Sequence, residues 1–185
     1  MVTIVDPRLT YEDLRALPDD GRRYELIDGE VFIAPAPRPK HQRTVGRLYR
    51  ALADFVEERG LGEVLLAPTD VVFGERTAVQ PDLLFIRKDR ASLVTELNVQ
   101  GAPDLVIEVL SPSNAKFDRE TKLQVYARAG VRELWYFDPE SRTAEVLELG
   151  GDGRYVLVAK LSDTESIRSN VLSGLSLPLA DLFPA

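Results

Sequence analysis

Two acidic residues stand inside runs that are otherwise apolar: Asp82 in Val-Gln-Pro-Asp-Leu-Leu-Phe-Ile and Glu108 in Leu-Val-Ile-Glu-Val-Leu. Carboxylates are seldom buried without a partner. On neighbouring strands of one sheet, two such side chains on the same face can approach closely enough to share a divalent cation, and their mutual repulsion then becomes affinity for it. The chain has no cysteine and a single histidine, His41, so oxygen donors dominate and Mg2+ or Mn2+ is expected in preference to zinc. Such an ion polarises a phosphoryl oxygen and generates a nucleophilic hydroxide, the two services that phosphodiester hydrolysis needs.

Lys122 lies between a polar face and the apolar stripe Leu123, Tyr126 and Ala127, a position from which its ammonium can reach the sheet. Near a carboxylate pair it would stay charged and orient an attacking water or stabilise charge developing on phosphate. Each residue also has a plainer reading. Asp82 can cap a turn beside Pro81, Glu108 can belong to a structural ion pair, and Lys122 can face solvent or simply neutralise Glu108. Glu25 and Glu30 flank an Asp28-Gly29 turn; an exposed hairpin acid is the plain reading of both, and Glu25 is the better candidate for a third metal ligand. His41 is a candidate base or phosphate contact, or merely a residue at a helix end.

The elements that must position these groups can be read from periodicity. Thr10 followed by Asp13 has the spacing of a helix start, with Pro18 ending it. Residues 23–33, RYELIDGEVFI, alternate around Asp28-Gly29 as a hairpin does, and the Pro-rich residues 34–39 form a connector. Over residues 41–59, Val45, Leu48, Leu52, Phe55 and Val56 recur at helical spacing, and Gly60 ends the helix. Strands are expected at 63–66, 70–73, 79–87 and 104–110, a second helix from Asp118 as N-cap to Ala129, and a strand at 132–137. Residues 144–149 and 155–161 then form a C-terminal hairpin around Gly150-Gly151-Asp152-Gly153.

A chain of 185 residues with 44% hydrophobic content, no internal repeat and no linker reads as one domain over residues 1–185. Its core spans about 41–138, with a C-terminal hairpin and tail over 142–185. The fold class is α/β (α+β): a central mixed sheet with helix, three strands, helix and strand in that order, and a hairpin at each end. The charged first twenty residues exclude a signal peptide, and no apolar run reaches membrane-spanning length, so a soluble cytoplasmic protein is expected.

The net charge of −7 argues against a general nucleic-acid coat. However, Arg38, Lys40, Arg43, Arg47 and Arg50 run through thirteen residues that contain no acid, leaving a local basic stripe. Its two readings are a phosphate-tracking surface, carried by Arg43, Arg47, Arg50 and His41, and an ordinary solvated helix face.

The order PDLLFI, DLVIEVLSPSN, then TKLQVYARAGVRELWYFDP, together with RYELIDGE near the start and LSGLSLPLADLF at the end, resembles a bacterial family of restriction-endonuclease-like proteins in the PD-(D/E)XK nuclease superfamily. The resemblance covers residues 11–183. It implies the same helix, three strands, helix, strand core, with the superfamily's metal-binding aspartate at Asp82 and its second acid at Glu108. The usual E-x-K lysine is missing, since Leu110 stands in its place, and the resemblance assigns that role to Lys122 on the following helix. Glu25 stands in for an acid contributed by an earlier element.

Three readings follow. The first is a Mg2+-dependent endonuclease cutting DNA, with Asp82 and Glu108 on the metal, Lys122 on the water, and a homodimer supplying two sites for a duplex, the C-terminal hairpin being a candidate interface. The second is a catalytically silent nucleic-acid-binding or assembly protein on a nuclease fold, supported by Leu110. The third is a hydrolase of small phosphate esters, marked by a pocket too narrow for a duplex.

Overall fold

A computed structural model describes residues 8–18 and 20–184; the ends of the expected 1–185 domain, residues 1–7 and 185, lie outside them, as does residue 19. The helix α1 (Tyr11–Arg15) starts at a reciprocal cap in which Thr10 Oγ1 accepts from the Asp13 N–H and the Asp13 carboxylate accepts from the Thr10 N–H. The strands β1 (Arg23–Ile27) and β2 (Glu30–Ala34) pair antiparallel around Asp28 and Gly29, whose φ values of 50° and 85° demand residues that tolerate the left-handed region.

Pro39 opens the long helix α2 (Pro39–Arg59) at a position where its missing N–H costs nothing, and Gly60 closes it. Val45, Leu48, Leu52 and Val56 form its buried stripe. Beyond it come β3 (Gly62–Leu66), β4 (Val71–Gly74), β5 (Thr77–Val79), β6 (Leu83–Arg87), β7 (Val99–Gln100) and β8 (Leu105–Val109). A helical stretch follows, made of α3 (Ala115–Phe117), a π-helical turn over Asp118–Lys122, and α4 (Leu123–Ala129). The chain finishes with β9 (Glu133–Asp138), β10 (Thr143–Leu149), β11 (Tyr155–Ser162), β12 (Ser166–Arg168), β13 (Ser176–Pro178) and α5 (Leu179–Leu182).

The central sheet has six strands in the order β11-β10-β9-β8-β6-β3, and its one parallel pair, β8 with β9, is joined through α4. The expected order of helix, three strands, helix and strand is therefore met by α2, β3, β6, β8, α4 and β9. Alternation along the strands divides the core in two. Leu83, Phe85, Leu105, Ile107 and Val109 face α2 and the C-terminal segment, where Leu179 and Phe183 pack. Leu84, Ile86, Val106 and Tyr136 face the other way, onto Val125 and Tyr126 of α4 and onto Val71, Val79 and Val99 of a second sheet ordered β2-β1-β5-β4-β7.

Three expectations are corrected. Residues 79–87 are not one strand: Pro81 cannot donate to a ladder, so the chain leaves the second sheet after Val79 and enters the central one at Leu83. Residues 70–73 accordingly belong to the second sheet rather than the core. Asp118 is no N-cap, because it already has helical φ and ψ behind α3. The C-terminal hairpin, β10 with β11, extends the central sheet by pairing β10 to β9. Among the described residues no helix is long and apolar enough to cross a membrane.

Leu48 is fully buried, whereas Leu157 on β11 is 51% exposed. Leu48→Ala should cost about 2–5 kcal/mol, and Leu157→Ala should stay within about 0.5 kcal/mol of the parent, as read by urea denaturation. Equal losses would contradict the division between core and surface.

Candidate active site

Period-two alternation turns Glu108 to the α4 side of β8, the same side as Val106, and there the adjoining strand β9 sets Tyr136 directly beside it. The register Leu83↔Ile107, continued by one residue, brings Asp82 next to Glu108 at the point where β6 begins. Both carboxylates are buried. Asp82 is anchored through one oxygen: Oδ2 accepts from the Val109 N–H at 2.9 Å and lies 3.0 Å from His41 Nε2, while Arg23 Nη1 stands 3.8 Å from Oδ1. Glu108 Oε1 accepts from the Tyr126 hydroxyl. Its Oε2 carries no hydrogen bond among the described residues.

Lys122 arrives from the opposite side. It is the last residue of the π-helical turn and is buried there, and such turns recur at functional sites. Its Nζ is 2.7 Å from Glu108 Oε1, 2.9 Å from Glu25 Oε1 and 3.8 Å from Asp118 Oδ1, with the side chain only 4% exposed. The solvent-facing reading of Lys122 is thereby corrected. So is the exposed-acid reading of Glu25, which is buried because β1 packs on β5 and which also accepts from the Gln80 N–H at 2.8 Å.

Asp82, Glu108, Lys122, Glu25 and His41 thus converge on one pocket, walled by the Ala34–Arg38 segment and by Ser111, Ser113 and Asn114. The Arg43, Arg47 and Arg50 side chains do not line it. Arg43 and Arg50 are exposed, and Arg47 Nη1 donates to the backbone carbonyls of Asp181 and Phe183 at 3.1 and 2.7 Å. Asp118, Tyr126 and Arg23 are the site residues that sequence reasoning missed. The available signal was spacing: Asp118 and Tyr126 lie four residues either side of Lys122, hence on its face of the helix.

The electrostatics follow from four buried carboxylates, Glu25, Asp82, Glu108 and Asp118, gathered near Lys122 and the half-buried Arg23. Burial would raise the Asp82 pKa, but the hydrogen bonds from His41 and Val109 and the positive charge of Lys122 hold it below the usual carboxylate range. Burial wins at Glu108, which is raised against the attraction of Lys122, with repulsion from Asp82 and Glu25 adding to the effect. Burial and the charge of Glu108 push Asp118 to about 8. Burial would lower Lys122, yet the surrounding carboxylates keep it charged well beyond its usual range.

No group of three or more His, Asp or Glu side chains among the described residues is arranged to hold a metal ion; Lys122 occupies the point where Glu25 and Glu108 converge. The donors nonetheless fit a hard divalent cation. They are all carboxylate oxygens, they outnumber the neighbouring cationic side chains, and the hydrogen bonds to Asp82 and Glu108 fall on Oδ2 and Oε1, with Arg23 Nη1 3.8 Å from Asp82 Oδ1. Two protein carboxylates completed by water and a substrate phosphate form a common Mg2+ arrangement.

The raised Asp118 pKa has a consequence for stability. Below about pH 4 the group is protonated both folded and unfolded; as pH rises towards 8 the unfolded chain ionises first, so its stabilising contribution is progressively lost. Without added metal, Asp118→Asn should flatten the fall in stability between pH 5 and 8 in denaturant titrations. Parallel profiles for variant and parent would show that Asp118 does not titrate there.

A solved structure titled as a putative nuclease belonging to DUF820, from Anabaena variabilis ATCC 29413, superposes with a TM-score of 0.77 at 20% sequence identity, over 95% of this chain and 97% of that one. At that identity the likeness establishes the fold, a restriction-endonuclease-like core. No curated protein matches the chain in sequence. The profile of the Uma2 family, described as "Putative restriction endonuclease", matches residues 11–180, nearly the whole chain, and the chain therefore belongs to that family.

Proposed function

We propose that the protein is a metal-dependent endonuclease that hydrolyses phosphodiester bonds of DNA in the cytoplasm. The observation that carries this reading is the convergence of Asp82 and Glu108, from adjacent strands, with the buried ammonium of Lys122 at 2.7 Å from Glu108. Asp82 and Glu108 would hold Mg2+ or Mn2+, with Glu25 close by, and the bound ion supplies Lewis acidity at the phosphoryl oxygen and acidifies water.

The chain's own residues do the rest. His41 and the Val109 N–H fix one oxygen of Asp82 and leave the other to the pocket. Tyr126 does the same for Glu108. Glu25, itself held by the Gln80 N–H, fixes where Lys122 points. A charged Lys122 at this depth orients the attacking water and stabilises charge as it develops on phosphate. Arg23 and Arg38 line the same pocket and supply phosphate contacts, with Arg43 and Arg50 further along α2, where Arg47 is instead held by the carbonyls of Asp181 and Phe183. Cutting both strands of a duplex calls for two such sites, and we place the dimer contact on the edge strand β11, where Val156, Leu157 and Val158 are exposed.

A catalytically silent nucleic-acid-binding or assembly protein is the second reading, and Leu110 favours it. That side chain is buried in an apolar cluster, so the strand offers no lysine, and Lys122 is already engaged by carboxylates.

Cleavage of supercoiled plasmid and single-stranded DNA in Mg2+ or Mn2+, with an EDTA control, decides between them. Asp82→Asn, Glu108→Gln and Lys122→Met should each reduce cleavage by about 100-fold or more. Intact DNA under every condition, or full activity in Asp82→Asn, would overturn the nuclease reading.

A further inference from the structure

Gly46 sits in the interior of the 21-residue helix α2, where glycine weakens a helix relative to alanine. Nothing in the fold requires it. Its backbone is not in the left-handed region, and a Cβ placed there would meet no atom within 4 Å. The position is exposed, and helical spacing puts it on one face with Arg43 and Arg50, opposite the buried stripe of Leu48 and Leu52. Arg43 and Arg50 make no hydrogen bond or ion pair among the described residues. Their neighbours differ: Arg47 is tied to the C-terminal segment and Lys40 pairs with Glu140.

We infer that Gly46 is a point of close approach, where the sugar-phosphate backbone of a nucleic-acid strand lies directly against helix α2 between the guanidinium groups of Arg43 and Arg50. The inference rests on the nucleic-acid reading above and deepens it. A helix bared of its side chain at one position lets a ligand backbone come nearer than any other residue would allow. The charge selects the partner: residues 38–50 carry five cationic side chains and no acid on a protein of net charge −7. A second copy docked about a twofold axis through Gly46 would instead face Arg43 and Arg50 with the same pair, at a cost in repulsion. Helix α2 also starts at the pocket, since its N-cap Arg38 lines it, and Arg50 lies roughly 18 Å further along the helix axis at 1.5 Å per residue. A strand leaving the acid cluster can follow this face. Such contacts position a strand without reading its sequence.

The test is fluorescence anisotropy with labelled single-stranded and duplex DNA in EDTA, which prevents cleavage, beside melting curves and sedimentation of the same variants. Gly46→Leu should weaken binding about tenfold, with a salt slope like that of the parent. Arg43→Gln should weaken binding and reduce the slope by about one. Gly46→Ala should melt about 2–4 °C higher, as a helix repaired at a position that packs against nothing would. Parent-like binding by Gly46→Leu would overturn the inference and leave the nuclease reading intact. A parent that cuts DNA while Gly46→Leu disturbs only its oligomeric state would assign the face to a second copy and overturn it equally. A parent that neither binds nor cuts DNA would remove both.

Discussion

The ammonium of Lys122 is held within 2.9 Å of two buried carboxylates, Glu108 and Glu25, with Asp118 slightly further off, and the pocket is organised around that contact. Acids buried this close repel one another, and taking even one cation away from such a cluster typically costs about 3–5 kcal/mol because charge is left uncompensated. The surrounding elements can be understood as what is needed to bring the groups together. The parallel pair β8–β9 carries Glu108, the π-helical turn delivers Lys122 and Asp118, and the packing of β1 on β5 brings in Glu25. Fold and site are coupled through this single charged contact.

Helix α2 has two opposed tasks. One face buries Val45, Leu48, Leu52 and Val56 against the central sheet, and its first turn lends His41 to Asp82. The other face is basic and sterically open at Gly46. Arg47, between them, binds the carbonyls of Asp181 and Phe183 and so pins the C-terminal segment against α2. A protein with net charge −7 can therefore still present a local run of cations, uninterrupted by acid, beside an acidic pocket.

The strand acids were legible in the sequence because polarity inside an apolar run is costly and conspicuous, and Glu108 lies in β8 as that argument requires. Asp82 was legible as a residue but not in its setting. Its apolar surroundings resemble a continuous strand, whereas Pro81 divides two sheets that a one-dimensional pattern cannot separate. Asp118 was misread because aspartate is a favoured N-cap, and only the helix start at Ala115 shows that it lies inside the helical stretch. Glu25 looked like a hairpin acid because its burial comes from pairing with β5, more than fifty residues away. The tether of Arg47 to the chain's end is non-local in the same way.

The proposed seat of a divalent cation is the pair Asp82 and Glu108, with Lys122 beside them. Isothermal titration of the purified chain with Mn2+ and Mg2+, repeated in buffers of different ionisation enthalpy, tests it without depending on the substrate. A saturable binding event accompanied by proton release is expected, since a cation favours the ionised form of the raised carboxyls, with loss of that event in Asp82→Asn and Glu108→Gln. Absence of binding in the parent, or binding unchanged in both variants, would contradict it.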